Sequence, residues 1–494
     1  MTIRAPIAGV GKQAAVYGVG NILTKLAAFL LIPIYTRYMS MTEVGILALM
    51  EMVEMFLITL IPFGMFNALW RYLSKAQETE RKTIIISSFA GTFILNITVL
   101  GFMSLFYQST GMYLGLGLSD TYLFLLVLLN TMLAFNIRFL LALLQYEGQA
   151  ITYVTLSVIQ FLGVLIFTIL LVVSKDMGLS GAVWGKTIPY ALLAIWCSYL
   201  VIRKYTVLPS FQTFKSLFKF GAPLIILALV SPVLKLADRF FLNLYVSLED
   251  IGIYSIAYKF GMIINMFLIM PLQKSWMPMM YKIGVEEDTH TFHRDLLFYY
   301  GVLGGTFFLL ITFFHREVIQ IVATENYLKF SFVVPLIALA YYLNGFRQFF
   351  FAGAALKDKT PRLAAASMTA IGFSLILNFV LISNYGVMGA AWAALGSHTF
   401  LVLLIYLASQ RVTRINWDWL RLLKLGGVLS ATLGIVVFLH FEYSDFRWLW
   451  SITGILGYFS LLKLTGAVGK REFNGIWYLF SLVRLAGRKN ESNE

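Results

Sequence analysis

Cysteine is almost missing from this chain: Cys197 stands alone among 494 residues. No disulfide can close within one chain, and no cluster of thiolates can hold a metal. Cys197 lies in an apolar run, where a small buried side chain is its expected role. Charge is also scarce, at 13% of residues against roughly 25% in a soluble domain. There are five histidines, and none falls into a metal-ligand spacing. No nucleophile elbow or phosphate-cradling glycine loop occurs. Acid is the scarcer sign, with 24 Asp and Glu against 38 Lys and Arg and a net charge of +14. Such a balance can mark nucleic-acid binding. Here the basic residues sit mostly in short links between apolar runs, so nucleic acid is not an expected partner.

Apolar material is what the chain has in excess, with 59% of residues hydrophobic. It comes in successive runs of about 20 residues, the length that carries a helix across a bilayer. About fourteen spans can be drawn in this way. The first begins after Lys12 and reaches about Tyr35. It is too long for a signal-peptide core and no small-residue cleavage site follows, so a retained span is expected. Lys and Arg concentrate in alternate links, including Arg71, Lys75, Arg81 and Lys82 after the second span and Arg203, Lys204, Lys215 and Lys219 after the sixth. The positive-inside rule then puts these links and both termini in the cytoplasm. The expected location is the cytoplasmic membrane, crossed many times. Residues 411–424 and the tail 470–489 read as basic amphipathic helices lying on its inner surface.

The chain repeats itself. YMSMTEVGI at 38–46 matches YVSLEDIGI at 245–253, and GLSGAVWG at 178–185 matches GVMGAAWA at 386–393, at nearly one offset. Asn136 and Asn344 fall at the same offset, each followed closely by an arginine. The repeating unit is six spans, an even number, so both halves enter the membrane in the same sense. The expected fold is an all-α integral membrane protein with two parallel six-helix bundles, related by a pseudo-two-fold axis along the membrane normal. The first bundle occupies 1–205 and the second 206–412. An added helix pair follows at 413–469, and a cytoplasmic tail at 470–494. A pathway is expected between the bundles.

Ser231 to Lys259 concentrates the unusual chemistry. Lys235, Asp238 and Arg239 are spaced i, i+3, i+4 and share one face of span seven. Lys259 follows on span eight. A charge inside a span costs several kcal/mol unless it meets protein or water. Lys25 on span one, Arg138 on span four, Lys186 on span six and Arg347 on span ten add to the set. Each cation either faces a polar cavity or is held by an acid or an interface. Among the acids, Glu51 and Glu54 share a face of span two, and Asp238 lies on span seven. A buried carboxylate can take up a proton or bind sodium and so couple transport to an ion gradient. The alternative is a static pair, Glu51 or Glu54 with Lys25 or Lys259. His398 on span twelve reads as a hydrogen-bonded packing residue. Pro33, Pro62, Pro223, Pro232, Pro271 and Pro278 cluster on or near spans one, two, seven and eight, where they can bend or kink the helices.

Several stretches carry a family resemblance. They are GKQAAVYGVGNILTKLAAFLLIPIYTRYMSMTEVGI, FGMFNALWRYLSKA, ADRFFLNLYVSLEDIGIYSIAYKF and SWMPMMYK. Through them the chain resembles the polysaccharide transporters, or lipid-linked oligosaccharide flippases, of the multidrug/oligosaccharidyl-lipid/polysaccharide superfamily. The resemblance implies two six-helix bundles around a V-shaped cavity lined by helices one, two, seven and eight. It implies a substrate, an isoprenoid-diphosphate-linked saccharide, moved from the cytoplasmic to the outer leaflet. Lys25, Lys235, Arg239 and Lys259 fall on the cavity helices and would meet the diphosphate, with Arg138, Lys186 and Arg347 adding charge. Glu51, Glu54 and Asp238 are the candidates for ion coupling, to H+ or Na+, with no other cofactor. The resemblance implies membrane lipids and other polysaccharide-assembly proteins as partners. In lipid II flippases two extra helices form a groove for the lipid tail, and spans thirteen and fourteen could do the same. A drug or metabolite antiporter suits a cationic pathway less well. A membrane polymerase or ligase would need a catalytic face that the short links do not offer. A scaffold without transport leaves the intramembrane charges unexplained.

Overall fold

The computed structural model describes residues 29–273, 276, 280, 290–357, 359–443 and 446–468. Lys25, Pro278 and the tail 470–489 lie outside them. Among the described residues every regular element is helical. Nine of the described helices are long and apolar enough to cross a membrane, ten if one bent pair counts as a single span. This is the all-helical membrane architecture expected from the apolar runs. Fourteen crossings and the domain boundaries stay expectations.

The first repeat motif builds two similar helix starts. Ser40 and Ser247 both cap in extended backbone, with φ near −67° and −69° and ψ at 155° in each. Ser40 Oγ accepts from the Glu43 amide, and Ser247 Oγ accepts from the Asp250 amide. Capping of this kind satisfies donors that the first helical turn leaves free. Span two (Met41–Leu60) and span eight (Leu248–Gly261) then cross in close contact. Gly45 and Gly252, equivalent in the repeat, sit at that crossing. A Cβ on Gly45 would collide with the Leu248 carbonyl, and one on Gly252 with the Met41 carbonyl. The repeat therefore records a contact between the halves, at what we call the far end.

Span two breaks after Leu60. Phe63 and Gly64 take φ of 44° and 67° just beyond Pro62, and a second helix runs from Met65 to Leu73. Span seven breaks likewise. Its first piece, Phe211–Gly221, meets the second, Ile225–Tyr245, at a turn holding Pro223, and the pair bends by 51°. Proline removes a helix hydrogen bond at each break. Gly64 packs on the Gly221 backbone so closely that a Cβ would clash. Phe211–Gly221 also packs against Met65–Leu73 and Glu78–Ser104 of the first half. The Ser210 amide donates to Ser87 Oγ at 2.8 Å. The halves thus meet at a second end, the basic end, beside Arg71, Lys75 and Lys219.

Two expectations need correction. Span nine, whose apolar run reads as 295–314, covers His290–Val322, and the fifteen-residue link HREVIQIVATENYLK that follows that run shrinks to a 3-10 turn at Glu325–Phe330. Spans eleven and twelve, read as 363–383 and 387–408, do divide at Gly386, with φ 52°, within Thr360–Gln410. Residues 411–424 are not one amphipathic helix. Residues 411–418 form an irregular link whose Trp417 is buried against Phe350, 5.2 Å between ring centres. Helix begins again at Trp419 as the start of span thirteen. That span and Arg447–Leu464 pair with each other and dock on span nine, where Tyr458 donates to the Val302 carbonyl.

Candidate functional site

Polar groups gather in three places within the helices. The first lies between the halves. Lys259 Nζ is 3.2 Å from Glu51 Oε2, which ties span eight to span two. The two side chains keep 28% and 42% of their surface exposed, so this pair is not sealed off. Beside it, Asp238 and Arg239 are buried on span seven and held on every side. Arg239 Nη1 donates to Asp238 Oδ1 at 3.0 Å and to the Lys235 carbonyl at 3.1 Å. Tyr254 Oη donates to Asp238 Oδ2 at 2.5 Å, and the guanidinium lies 4.7 Å from the Tyr258 ring centre. Both oxygens of Asp238 are engaged. In this state neither Asp238 nor Arg239 is open to a guest.

The second place is a cavity of about 330 Å³ within the first half. Spans one, two, four, five and six line it, with Tyr35, Glu51, Glu54, Asn130, Lys186 and Tyr190 as polar walls. Lys186 Nζ is 2.5 Å from Glu54 Oε2 and 5.4 Å from the Tyr190 ring centre. The helical spacing of Glu51 and Glu54 puts one acid toward the interface and one toward Lys186. Two ion pairs result, Lys186–Glu54 within the first half and Glu51–Lys259 between the halves.

The third is a cavity of about 490 Å³ within the second half, lined by spans seven, eight, ten, eleven and twelve. Lys235, Arg347 and His398 line it together with Asn344, Gln348 and Ser367. Among the described residues no Asp or Glu lines it. Arg347 Nε, both ring nitrogens of His398 and Asn344 Oδ1 are buried without a hydrogen-bond partner among the described residues. The His398 ring packs on Tyr341, 5.1 Å between centres. Tyr341 in turn shares a 3.0 Å hydrogen bond with Tyr258, which links this cavity to the Arg239 cluster.

The sequence-named residues thus fall into distinct sets. Lys259 and Glu51 meet at the interface, Lys186 and Glu54 in the first half, Lys235 and Arg347 in the second. Asp238 and Arg239 pair with each other. Arg138 is exposed and joins neither cavity. The expected pairing of Glu51 with Lys259 is present, whereas that of Glu54 with Lys186 was not foreseen. Nor was the placing of His398 beside Lys235 and Arg347. A further recess of about 580 Å³ at the basic end is flanked by Arg71, Lys75 and Lys219.

Comparison with known proteins places this geometry. Residues 10–284 match the family model described as "Polysaccharide biosynthesis protein". No curated protein matches the chain. The fold is similar to that of the lipid II flippase MurJ in an inward closed conformation, with a TM-score of 0.76, 15% identity, and coverage of 91% of this chain and 98% of that one. It is also similar to an inward-facing multidrug resistance MATE family transporter of the MOP superfamily, with a TM-score of 0.62, 13% identity, and coverage of 81% and 98%. A Vibrio cholerae MATE transporter matches at a TM-score of 0.57 with 14% identity, over 83% of this chain and 99% of that one.

Proposed function

The chain belongs to the polysaccharide biosynthesis protein family, and on that premise we propose that it is a flippase for a lipid-linked saccharide. It is a membrane transporter and not an enzyme, as are the flippase and the multidrug transporters whose fold it shares. The substrate is an isoprenoid-diphosphate-linked oligosaccharide or polysaccharide repeat unit. It passes from the cytoplasmic to the outer leaflet by alternating access between the halves, driven by a proton or sodium gradient. The protein works in the cytoplasmic membrane with both termini inside.

The observation that carries this reading is the half-open Glu51–Lys259 pair between spans two and eight. An anionic diphosphate arriving there would compete with Glu51 for Lys259, and charge-assisted contacts with phosphate are strong in a low-dielectric site. Displacing Glu51 would free a carboxylate to take up a proton or a sodium ion. Substrate binding and ion binding then share one residue, which is a direct route to coupling. The broken spans two and seven supply the bends that opening one end and closing the other require. Arg71, Lys75 and Lys219 offer a cationic approach at the basic end.

The test is flipping in liposomes that hold the purified protein and a labelled isoprenoid-diphosphate saccharide. We expect protein-dependent loss of label from one leaflet, faster with a proton or sodium gradient. Lys25→Ala or Lys259→Ala abolishes it without lowering the amount of protein in the membrane. Gradient-driven export of a cationic dye, with no lipid movement, would assign the protein to the antiporters instead.

A further inference from the structure

The cavity of the second half poses a charge problem that the first half does not. Lys235, Arg347 and His398 line one cavity. Among the described residues its walls carry no carboxylate. Asp238, one turn from Lys235, has both oxygens committed to Arg239 and Tyr254. Lys235 and Arg347 are half-buried, and cations shielded from water without a counter-charge carry a cost that an anionic ligand relieves.

The same cavity tells what else that ligand must carry. Asn344 Oδ1 is an unpartnered acceptor, buried among donors. Sulfate or a halide offers it no donor, and hydrogen phosphate offers one or two hydroxyls where a sugar offers several. A hydroxyl can donate to Asn344 while accepting from its neighbours. His398, 2% exposed, offers a ring N–H, and Gln348 and Ser367 add amide and hydroxyl partners at the same walls. About 490 Å³ lies in the roughly 300–1,000 Å³ range of small-molecule sites.

We propose that this cavity is a binding site for an acidic sugar residue. Its carboxylate is held by Lys235 and Arg347, and its hydroxyls by Asn344 and His398. The site lies inside the second half, apart from the Glu51–Lys259 pair. Under the flippase reading on which this substrate assignment rests, the cargo saccharide carries a uronic-acid-type sugar, and this cavity selects for it. A planar guanidinium suits a carboxylate because it can donate two parallel hydrogen bonds.

The test reads binding, not transport, so a failure here leaves the flippase reading intact. Thermal unfolding of the full chain in detergent is followed with sodium hexuronate, the matching neutral hexose, and inorganic phosphate at equal ionic strength. Hexuronate raises the unfolding midpoint by ~2 °C. Neutral hexose and phosphate leave it unchanged. The shift disappears in Lys235→Gln/Arg347→Gln, and His398→Gln alone reduces it, which keeps the test open if the double variant does not fold. An equal shift with phosphate would overturn the sugar assignment. An undiminished hexuronate shift in the variants would overturn the site.

Discussion

The two halves share a fold and differ in how they hold charge. In the first half Glu54 faces Lys186 across 2.5 Å, and the cavity they line also holds Glu51, whose partner Lys259 belongs to the second half. In the second half Lys235, Arg347 and His398 line a larger cavity with no acid among its described walls. A balanced pair has no electrostatic need of a guest, but it can open and close as its acid gains or loses a partner. An unbalanced cluster is incomplete until an anion enters. Under the proposed reading, Glu51 beside Lys259 serves coupling and the cavity of the second half serves recognition. Between the halves Glu51 and Lys259 form the one ion pair described here that joins span two to span eight.

The comparison breaks most readily at the paired half. Glu54→Gln leaves Lys186 without its partner, and removing one member of a buried pair costs about 3–5 kcal/mol. The unfolding midpoint in detergent should fall, and Lys186→Met in the same chain should restore most of it. Next come the glycines of the crossing between the halves. Gly252→Ala drives a methyl into the Met41 carbonyl, at a cost of about 1–3 kcal/mol for an overpacked contact. The far end should then stand open, seen as faster labelling of a reporter cysteine near Val44 in a Cys197→Ser background.

A smaller effect of opposite sign is expected in the unpaired half. Arg347→Met removes a half-buried charge with no acid beside it among the described residues, and should raise stability by about 1 kcal/mol. Smallest is the exposed link. Lys329 lies 2.6 Å from Asp250, and that hydrogen bond raises the Lys329 pKa above its usual value. Stability from this pair is fully present below the ordinary lysine pKa and is lost as pH rises through the raised value. Its size is that of a surface pair, about 0.2–1 kcal/mol. Lys329→Ala should lower the midpoint slightly at pH 8, and the difference should shrink as pH rises through the raised Lys329 value.

What was legible in the sequence follows the range of each interaction. Caps are local, so YMSMTEVGI and YVSLEDIGI announced two similar helix starts. Asp238 and Arg239 are neighbours in the chain, and their pairing could be anticipated. Lys186 and Glu54 are 132 residues apart, and only the packing of span six against span two unites them. The cluster of Lys235, Arg347 and His398 draws on spans seven, ten and twelve. Its one local hint was the spacing of Asn344 and Arg347. Span nine was read too short because its last turns are polar on one face, where Glu317 meets Arg447 at 3.7 Å. Residues 411–418 misled for a related reason. They read as part of a basic amphipathic helix on the membrane surface, whereas the Trp417 side chain packs beside Phe350.

The measurement that bears most directly on the division of labour is lipid-linked saccharide flipping by Arg347→Met, made beside its unfolding midpoint. The account predicts a protein at least as stable as the parent that flips its substrate more than tenfold more slowly. A variant that is less stable yet flips at the parent rate would contradict it, because Arg347 would then be a structural cation and the second cavity would have no guest.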